Sequence, residues 1–173
     1  MMNTKTAKML AQYKAWADKA MSDGVGALPP GEATKERKTL FKTMIGTLNH
    51  IYVVDLIWQA HLEGREHGFQ ARNVVVHPEL SALRVAQQQL NGWIIDWAAA
   101  QTDASLDEDV RFTFVNGNKA MMKRSEIFLH LVTHGSYHRG WVAEMFFETG
   151  ARPPQPDLSV FLCEAPQEWR NAL

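Results

Sequence analysis

Four long segments of the chain repeat apolar residues at the spacing of an α-helix, and this periodicity restricts the fold more than any other feature. Gly24, Gly26 and the Pro29-Pro30-Gly31 run break the chain after the first segment, and prolines follow the last. The pattern predicts an all-α fold, an up-down-up-down four-helix bundle. The predicted helices run from Thr4 to about Asp23, from about Thr39 to Leu62, from about Pro78 to Ala100, and from near Ser125 to Gly150.

The second predicted helix is unusually apolar. Thr39 is a plausible N-cap for it and Gly64 a plausible C′ residue. From Ile51 to Trp58 it is apolar almost all round, with Asp55 as the exception. Such a helix is buried on more than one side. A bundle core together with a dimer contact would explain this, so we expect a homodimer.

A small β-hairpin is predicted before the last long helix. Val110, Phe112 and Phe114 alternate with polar residues, and Asn116-Gly117 is a strong hairpin turn signal. The expected strands cover roughly residues 109–115 and 119–123. A short turn of helix is expected from Asp157 to Leu162.

Composition limits the class of protein. The chain of 173 residues, 46% of them hydrophobic, is long enough for one domain with its own core, so residues 1–173 are expected to form a single domain. A formal net charge of -1 argues against nonspecific electrostatic binding to nucleic acid. No stretch has the length and apolarity to span a bilayer or to act as a signal peptide. Cys163 is the only cysteine, which suits a reducing cytoplasm, the expected location.

Two histidines of the last helix are spaced for metal binding. His134 and His138 lie one turn apart on one face, as in the zinc-binding HExxH pattern, but Gly135 stands where that pattern has glutamate. His130 extends the same stripe. Because His130 and His138 lie roughly 12 Å apart along the axis, one ion cannot hold both. The pair is therefore either 130/134 or 134/138, and a third ligand must come from another segment.

Depth in the bundle selects His50 as the third ligand. In up-down-up-down order the second and fourth helices run parallel, and His50 is about as far into its helix as His134 and His138 are into theirs. His61 shares the face of His50 but is displaced by roughly 16 Å. By this argument His130 is not a metal ligand. It is instead a packed residue or one that orients the ring of a ligand histidine. His61, His67 and His77 are interpreted as ordinary surface or loop residues.

The alternative is that these histidines are hydrogen-bonded core residues with no ion. Other polar candidates have a structural interpretation too. Asp55 could be a carboxylate base near the site or could pair with Arg139, and Arg139 or Tyr137 could hold an anionic substrate group or make contacts between helices. Cys163 has no basic neighbour in sequence, which disfavours a role as nucleophile. The tryptophans are interpreted as core or interface residues, namely Trp58, Trp93, Trp97 and Trp141.

Two stretches carry a resemblance to a known family. KTMIGTLNHIYVVDLIWQAHLEG and IFLHLVTHGSYHRGWVAEMFFETGARPPQPDLSVFL are similar to sequences of the DinB (YfiT-like) family of metal-dependent proteins, the second through its HxxxHRG segment and G-x-x-P-P-x-x-D-L ending. The resemblance implies a four-helix bundle with one ion on three histidines, completed by water. By position these are His50, His134 and His138. It also implies dimers in many members, and related groups that use low-molecular-weight thiols, such as mycothiol-dependent isomerases and bacillithiol transferases.

Three neutral imidazoles with a free fourth position are typical of catalytic rather than closed structural sites. Zinc is the first expectation for the ion, and nickel the alternative. The predicted function is a metal-dependent enzyme acting on a small molecule, either a transferase that uses a low-molecular-weight thiol or a hydrolase. The alternatives are a non-catalytic, stress-associated metal-binding bundle and an interaction bundle with coincidental histidines.

Overall fold

A computed structural model of the protein describes residues 2–167. The chain is mostly helical, with one small sheet, which confirms the all-α class. The elements are α1 (Thr4–Gly26), α2 (Met44–Leu62), α3 (Leu80–Ala100), α4 (Asp103–Leu106), β1 (Asp109–Thr113), β2 (Lys119–Lys123), α5 (Arg124–Phe146), a 3-10 turn (Phe147–Thr149) and α6 (Leu158–Glu164). Within the described part, no helix combines the length and apolarity that crossing a bilayer requires.

The start of the second helix differs from the sequence prediction. Thr39 is not the N-cap. Thr43 caps α2, and its hydroxyl oxygen accepts a hydrogen bond from the Gly46 amide at 2.8 Å. Lys42 has a φ of 62°, a left-handed conformation that a helix cannot contain. Gly64 follows the end of α2 with a φ of 70°, as expected of a C′ glycine.

Other boundaries shift by a few residues. The first helix continues through Gly24 to Gly26, and the last long helix ends at Phe146, before the 3-10 turn and left-handed Gly150. The short helix α4 was not predicted. Thr102 and Ser105 bond to each other's backbone amides and stabilise it as a capping box.

The helices pack so that α1 lies mainly against α3 and α5, while α2 lies mainly against α5. Every residue of α2 is buried or half-buried within the single chain. The apolar faces of this helix, which suggested a dimer, are therefore covered by the chain itself. A homodimer remains a prediction and would have to use other surfaces. The up-down-up-down order of the bundle also remains a prediction.

The predicted hairpin is present: β2 has the predicted bounds, and β1 ends two residues earlier than predicted. β1 and β2 pair antiparallel with Phe112 opposite Ala120, and Gly117 has the positive φ, 86°, that the tight connection needs. Phe112 is buried with its ring 4.8 Å from that of Trp58 on α2. The hairpin thus closes one end of the core between α2 and α5.

Four helices meet at a buried ionic network centred on Lys14 of α1, whose side chain is 0% exposed. Its ammonium donates to Asp18 at 2.8 Å and to Asp55 of α2 at 2.6 Å. Arg139 of α5 donates to the second oxygen of Asp18 at 2.6 Å. Gln87 of α3 donates to Asp55 at 3.0 Å. Asp55 therefore pairs with Lys14 and not with Arg139, a correction to one of the sequence interpretations.

Neighbouring charges oppose the effect of burial on the pKa values of this network. Burial opposes the charge on Lys14, but Asp18 and Asp55 outweigh it and raise the Lys14 pKa. Burial likewise disfavours the Asp18 carboxylate, yet Lys14 and Arg139 lower its pKa. For Asp55 burial prevails and raises the pKa. Two cations face two carboxylates, so the network has a formal charge of zero.

The network explains why residue 135 is a glycine. A Cβ at Gly135 would lie 3.0 Å from Nη1 of Arg139, the atom bound to Asp18. Gly140, on the same helix, is exposed and has nothing within 4 Å of such a Cβ.

These two glycines give a matched prediction. Gly140→Ala is expected to raise the free energy of unfolding by about 0.5–1 kcal/mol, because alanine favours the helix. Gly135→Ala is expected to lower it, since the added methyl group displaces the Arg139 guanidinium from Asp18. Urea denaturation followed by circular dichroism measures both. Equal stabilisation by the two substitutions would contradict this account of Gly135.

Candidate metal centre

The side chains of three histidines, which come from two helices, lie next to one another. His50 is on α2, and His134 and His138 lie one turn apart on α5. The ring centroids of His50 lie 5.0 Å from His134 and 4.5 Å from His138, and those of His134 and His138 lie 4.4 Å apart. One ring nitrogen from each residue can be chosen so that all three lie within 4.8 Å of one another. The structure thus brings together the three histidines that the sequence selected as ligands.

The separation of the nitrogens fits a shared ion. Nε2 of His50 and Nε2 of His134 lie 3.2 Å apart. Two nitrogens bound tetrahedrally to zinc, each at about 2.0–2.1 Å, are separated by about 3.4 Å. Nδ1 of His50 donates to the Arg72 carbonyl oxygen at 2.9 Å, which leaves the lone pair on Nε2. This is the usual arrangement of a metal-binding histidine.

The other two rings contain buried atoms that lack a partner. Nδ1 of His134 and Nδ1 of His138 are buried, and neither has a hydrogen-bond partner among the described residues. Buried polar atoms are nearly always satisfied. One ion can bind only one nitrogen of a ring, so an ion on Nε2 of His134 would leave Nδ1 of that ring to solvent. Neither ring nitrogen of His138 is bonded to a protein acceptor that would compete with an ion, so the donor set fits a metal.

The three imidazoles are neutral near pH 7. Burial, followed by the proximity of His138 and His50, lowers the pKa of His134 to about 2. Burial and the proximity of His50 lower the pKa of His138 to about 4, and burial also lowers that of His50. Only a neutral imidazole has a lone pair to offer a metal. Protons therefore compete weakly with an ion for these nitrogens.

The same shifts predict how the metal-free protein responds to acid. In the unfolded chain these imidazoles bind protons near the ordinary pKa of 6.5, whereas in the folded chain His134 and His138 do so only near 2 and 4. The unfolded state then binds more protons, so stability is expected to fall as pH drops from 6.5 towards 4. Urea midpoints across this range measure it. His134→Leu should reduce the slope, and an unchanged slope in that variant would contradict the assignment.

Aromatic side chains surround the three histidines. The Phe41 ring stacks on His50 at 4.3 Å with an interplanar angle of 21°, and its centroid lies 5.5 Å from that of His138. The Trp141 and Tyr137 rings lie 4.8 Å and 5.0 Å from His138. Sequence reasoning missed Phe41, because it placed this residue inside the second helix. No sequence signal marks the turn that carries it.

The long connection between α2 and α3 also reaches the site. One contact is the hydrogen bond from His50 to the Arg72 carbonyl oxygen described above. Asn49 also binds this connection to α2, because its side-chain oxygen accepts hydrogen bonds from the backbone amides of Val76 and His77, each at 2.9 Å. Its amide group donates to the His77 carbonyl oxygen at 2.8 Å. Asn49 was not predicted, although its position beside His50 is a signal that could have been used.

The remaining histidines lie outside the group. His130 is half-buried, with its ring 5.3 Å from that of His134 and 5.3 Å from that of Trp58. His61 is buried against Trp58 and Phe112, which corrects its interpretation as a surface residue. Its distance along α2 separates it from the site as predicted.

The other candidate residues take structural or peripheral positions. Asp55 and Arg139 belong to the ionic network and have no bond to the three histidines. Cys163 is free and exposed. Within residues 2–167, no carboxylate, cysteine or further histidine lies close enough to His50, His134 and His138 to share a metal ion with them. The protein side of the site therefore consists of three imidazoles, the donor set of catalytic zinc sites that keep one position for solvent or substrate.

Comparison with known proteins identifies the family of the chain. The model of the DinB family matches residues 1–170. The protein named Protein DinB from Bacillus subtilis (strain 168) is 23% identical over 167 residues, covering 88% of this chain and 91% of that protein. The extent of the family match, together with the histidine geometry, leads to one conclusion: the chain belongs to the DinB family.

Proposed function

We propose that the protein is a metal-dependent enzyme that holds one divalent ion, zinc or nickel, on His50, His134 and His138. The observation that carries the proposal is the convergence of three neutral imidazoles with no fourth histidine, cysteine or carboxylate ligand among residues 2–167. A bound ion would act as a Lewis acid and lower the pKa of a water or a thiol in the free position.

Transfer of a low-molecular-weight thiol is the first candidate reaction. Among the described residues, no carboxylate base accompanies the histidines, because Asp55 is bonded to Lys14 and residue 135 is a glycine. A thiol, with an ordinary pKa of about 8.5, needs much less assistance to ionise than water, with about 15.7. A site without a carboxylate base therefore favours a thiol as the nucleophile. The substrate would be a small molecule that brings an electrophilic centre.

Hydrolysis is the second candidate, and the observation that favours it is the position of His130. Its ring is half-buried beside that of His134, and burial, together with the charge of Arg72, lowers its pKa, so it is neutral near pH 7. A neutral imidazole can accept a proton from an attacking water.

We extend the proposal to the oligomeric state and the location of the protein. The sequence predicts a homodimer in the cytoplasm.

Turnover assays of the metal-loaded protein test this proposal. Protein with one equivalent of zinc or nickel is assayed with an aryl halide and a small thiol, and separately with an aryl ester. We expect metal-dependent consumption of the thiol that is lost after chelation and in His134→Ala. Metal-dependent cleavage of the ester without thiol would select the hydrolase. Retention of the ion without turnover of either class would contradict the enzyme proposal and leave a non-catalytic metal-binding protein.

A further inference from the structure

The charges around the three histidines are unbalanced. No carboxylate of the described residues is hydrogen-bonded or ion-paired to His50, His134 or His138. The nearby cations are Arg72, whose carbonyl oxygen is bound to His50, and Lys14, which lies beside Gly135. The charge of Lys14 is already balanced by the aspartates of the ionic network. A divalent ion on three neutral imidazoles would add two positive charges. Within the described residues, no carboxylate bonded to these histidines would balance that charge.

Arg72 is held at the site by its backbone. Its carbonyl oxygen accepts the hydrogen bond from Nδ1 of His50 at 2.9 Å, and Asn49 fixes the same connection four and five residues further on. The side chain is exposed, and no ion pair or hydrogen bond to its guanidinium occurs within residues 2–167. Arg72 is therefore a cation beside the site with its donors free.

Apolar surface adjoins the same site on the His138 side. Tyr137 is 61% exposed although its ring lies 5.0 Å from that of His138, and Trp141, half-buried, touches both rings. Phe41 continues this surface onto His50. Exposed aromatic side chains beside a polar centre are typical of small-molecule sites, where they contact the apolar part of the ligand.

We propose that Arg72 and the aromatic surface of Phe41, Tyr137 and Trp141 form a substrate site for a small organic anion with an aromatic or other apolar body. Arg72 binds the anionic group beside the free metal position, and the aromatic rings pack against the body. The inference rests on the proposed metal site and names the substrate class for it. Arg72 is a binding residue, and no bond is made or broken at it.

Calorimetric titration of the zinc-loaded protein with benzoate tests the inference at low ionic strength. Benzamide, which has the same ring without the charge, and acetate, which has the charge without the ring, serve as comparison ligands. We expect benzoate to bind more tightly than either. Arg72→Ala should weaken benzoate binding by about fivefold or more, and Arg72→Lys should recover part of the loss. Tyr137→Ala should reduce the preference for benzoate over acetate.

Arg65→Ala is the matched control. Arg65 lies in the same connection and is exposed, but it pairs with Glu63 and makes no contact with the histidines. Its substitution should leave benzoate affinity unchanged. Benzoate binding that is equal in wild type and Arg72→Ala, or no stronger than that of benzamide, overturns the inference.

Zinc content, measured on every variant, separates this result from failure of the metal site. One equivalent of zinc in Arg72→Ala with wild-type benzoate affinity overturns the substrate site alone. A wild-type protein that binds no zinc overturns the proposed function and this inference together.

Discussion

Replacing Lys14 with methionine is expected to lower the free energy of unfolding by about 3–5 kcal/mol, the cost of removing one partner from a buried ion pair. Lys14 is wholly buried and donates to both Asp18 and Asp55. Without it, Asp55 would keep only its bond from Gln87 in the core. Methionine fills a similar volume, so the loss reflects the uncompensated carboxylates rather than a cavity. Urea denaturation at pH 7 measures it.

Two further variants isolate the cause. Lys19→Met removes an i,i+4 partner of Asp23 on the same helix, but this pair is exposed, and its loss should cost about 0.5 kcal/mol or less. Adding Asp55→Leu to Lys14→Met should restore part of the stability, because one unpaired carboxylate is then removed and Asp18 keeps Arg139. Similar losses for Lys14→Met and Lys19→Met would show that the buried network does not stabilise the fold as argued.

Substitution of His138 by alanine is expected to weaken zinc affinity by more than about 100-fold. Loss of a ligand should exceed the 10- to 100-fold cost typical of removing a residue that only orients one. The variant keeps two metal-binding nitrogens, one on His50 and one on His134. Two ligands are too few to compete with solvent for a divalent ion. Competition with a chelating dye at pH 7 measures the affinity.

His61→Ala is the control for this prediction. His61 is also a buried histidine and lies on α2, as His50 does, but it contacts Trp58 and Phe112 rather than the three histidines. Its substitution should cost stability through lost packing and leave zinc affinity within about threefold of wild type, a change of under 1 kcal/mol. Equal losses of zinc affinity in the two variants would contradict the selection of His138 as a ligand.

The sequence was sufficient for the three histidines because their positions depend on regular helices. The i, i+4 spacing of His134 and His138 specifies one face of α5. The residue count along the second helix selected His50 although it assumed a start near Thr39, whereas α2 begins at Met44. The hairpin was predictable for a similar local reason, since Asn116-Gly117 determines its turn.

Features that depend on contacts between distant segments could not be predicted in this way. In the sequence nothing distinguishes Lys14 from the other lysines of α1. Only the packing of the helices shows that it is buried between Asp18 and Asp55. The burial of His61 requires the hairpin to cover α2. Arg72 and Phe41 lie in segments without periodicity, so their places beside the histidines follow from the fold and not from spacing.

We propose above that His50, His134 and His138 hold one divalent ion. Elemental analysis of protein purified without a histidine tag tests it most directly. We predict about one equivalent of zinc or nickel per chain in the wild type, and loss of that metal in the His138→Ala variant. Wild-type protein that contains no metal, even after reconstitution with zinc or nickel, would show that the three histidines are structural and would contradict the account.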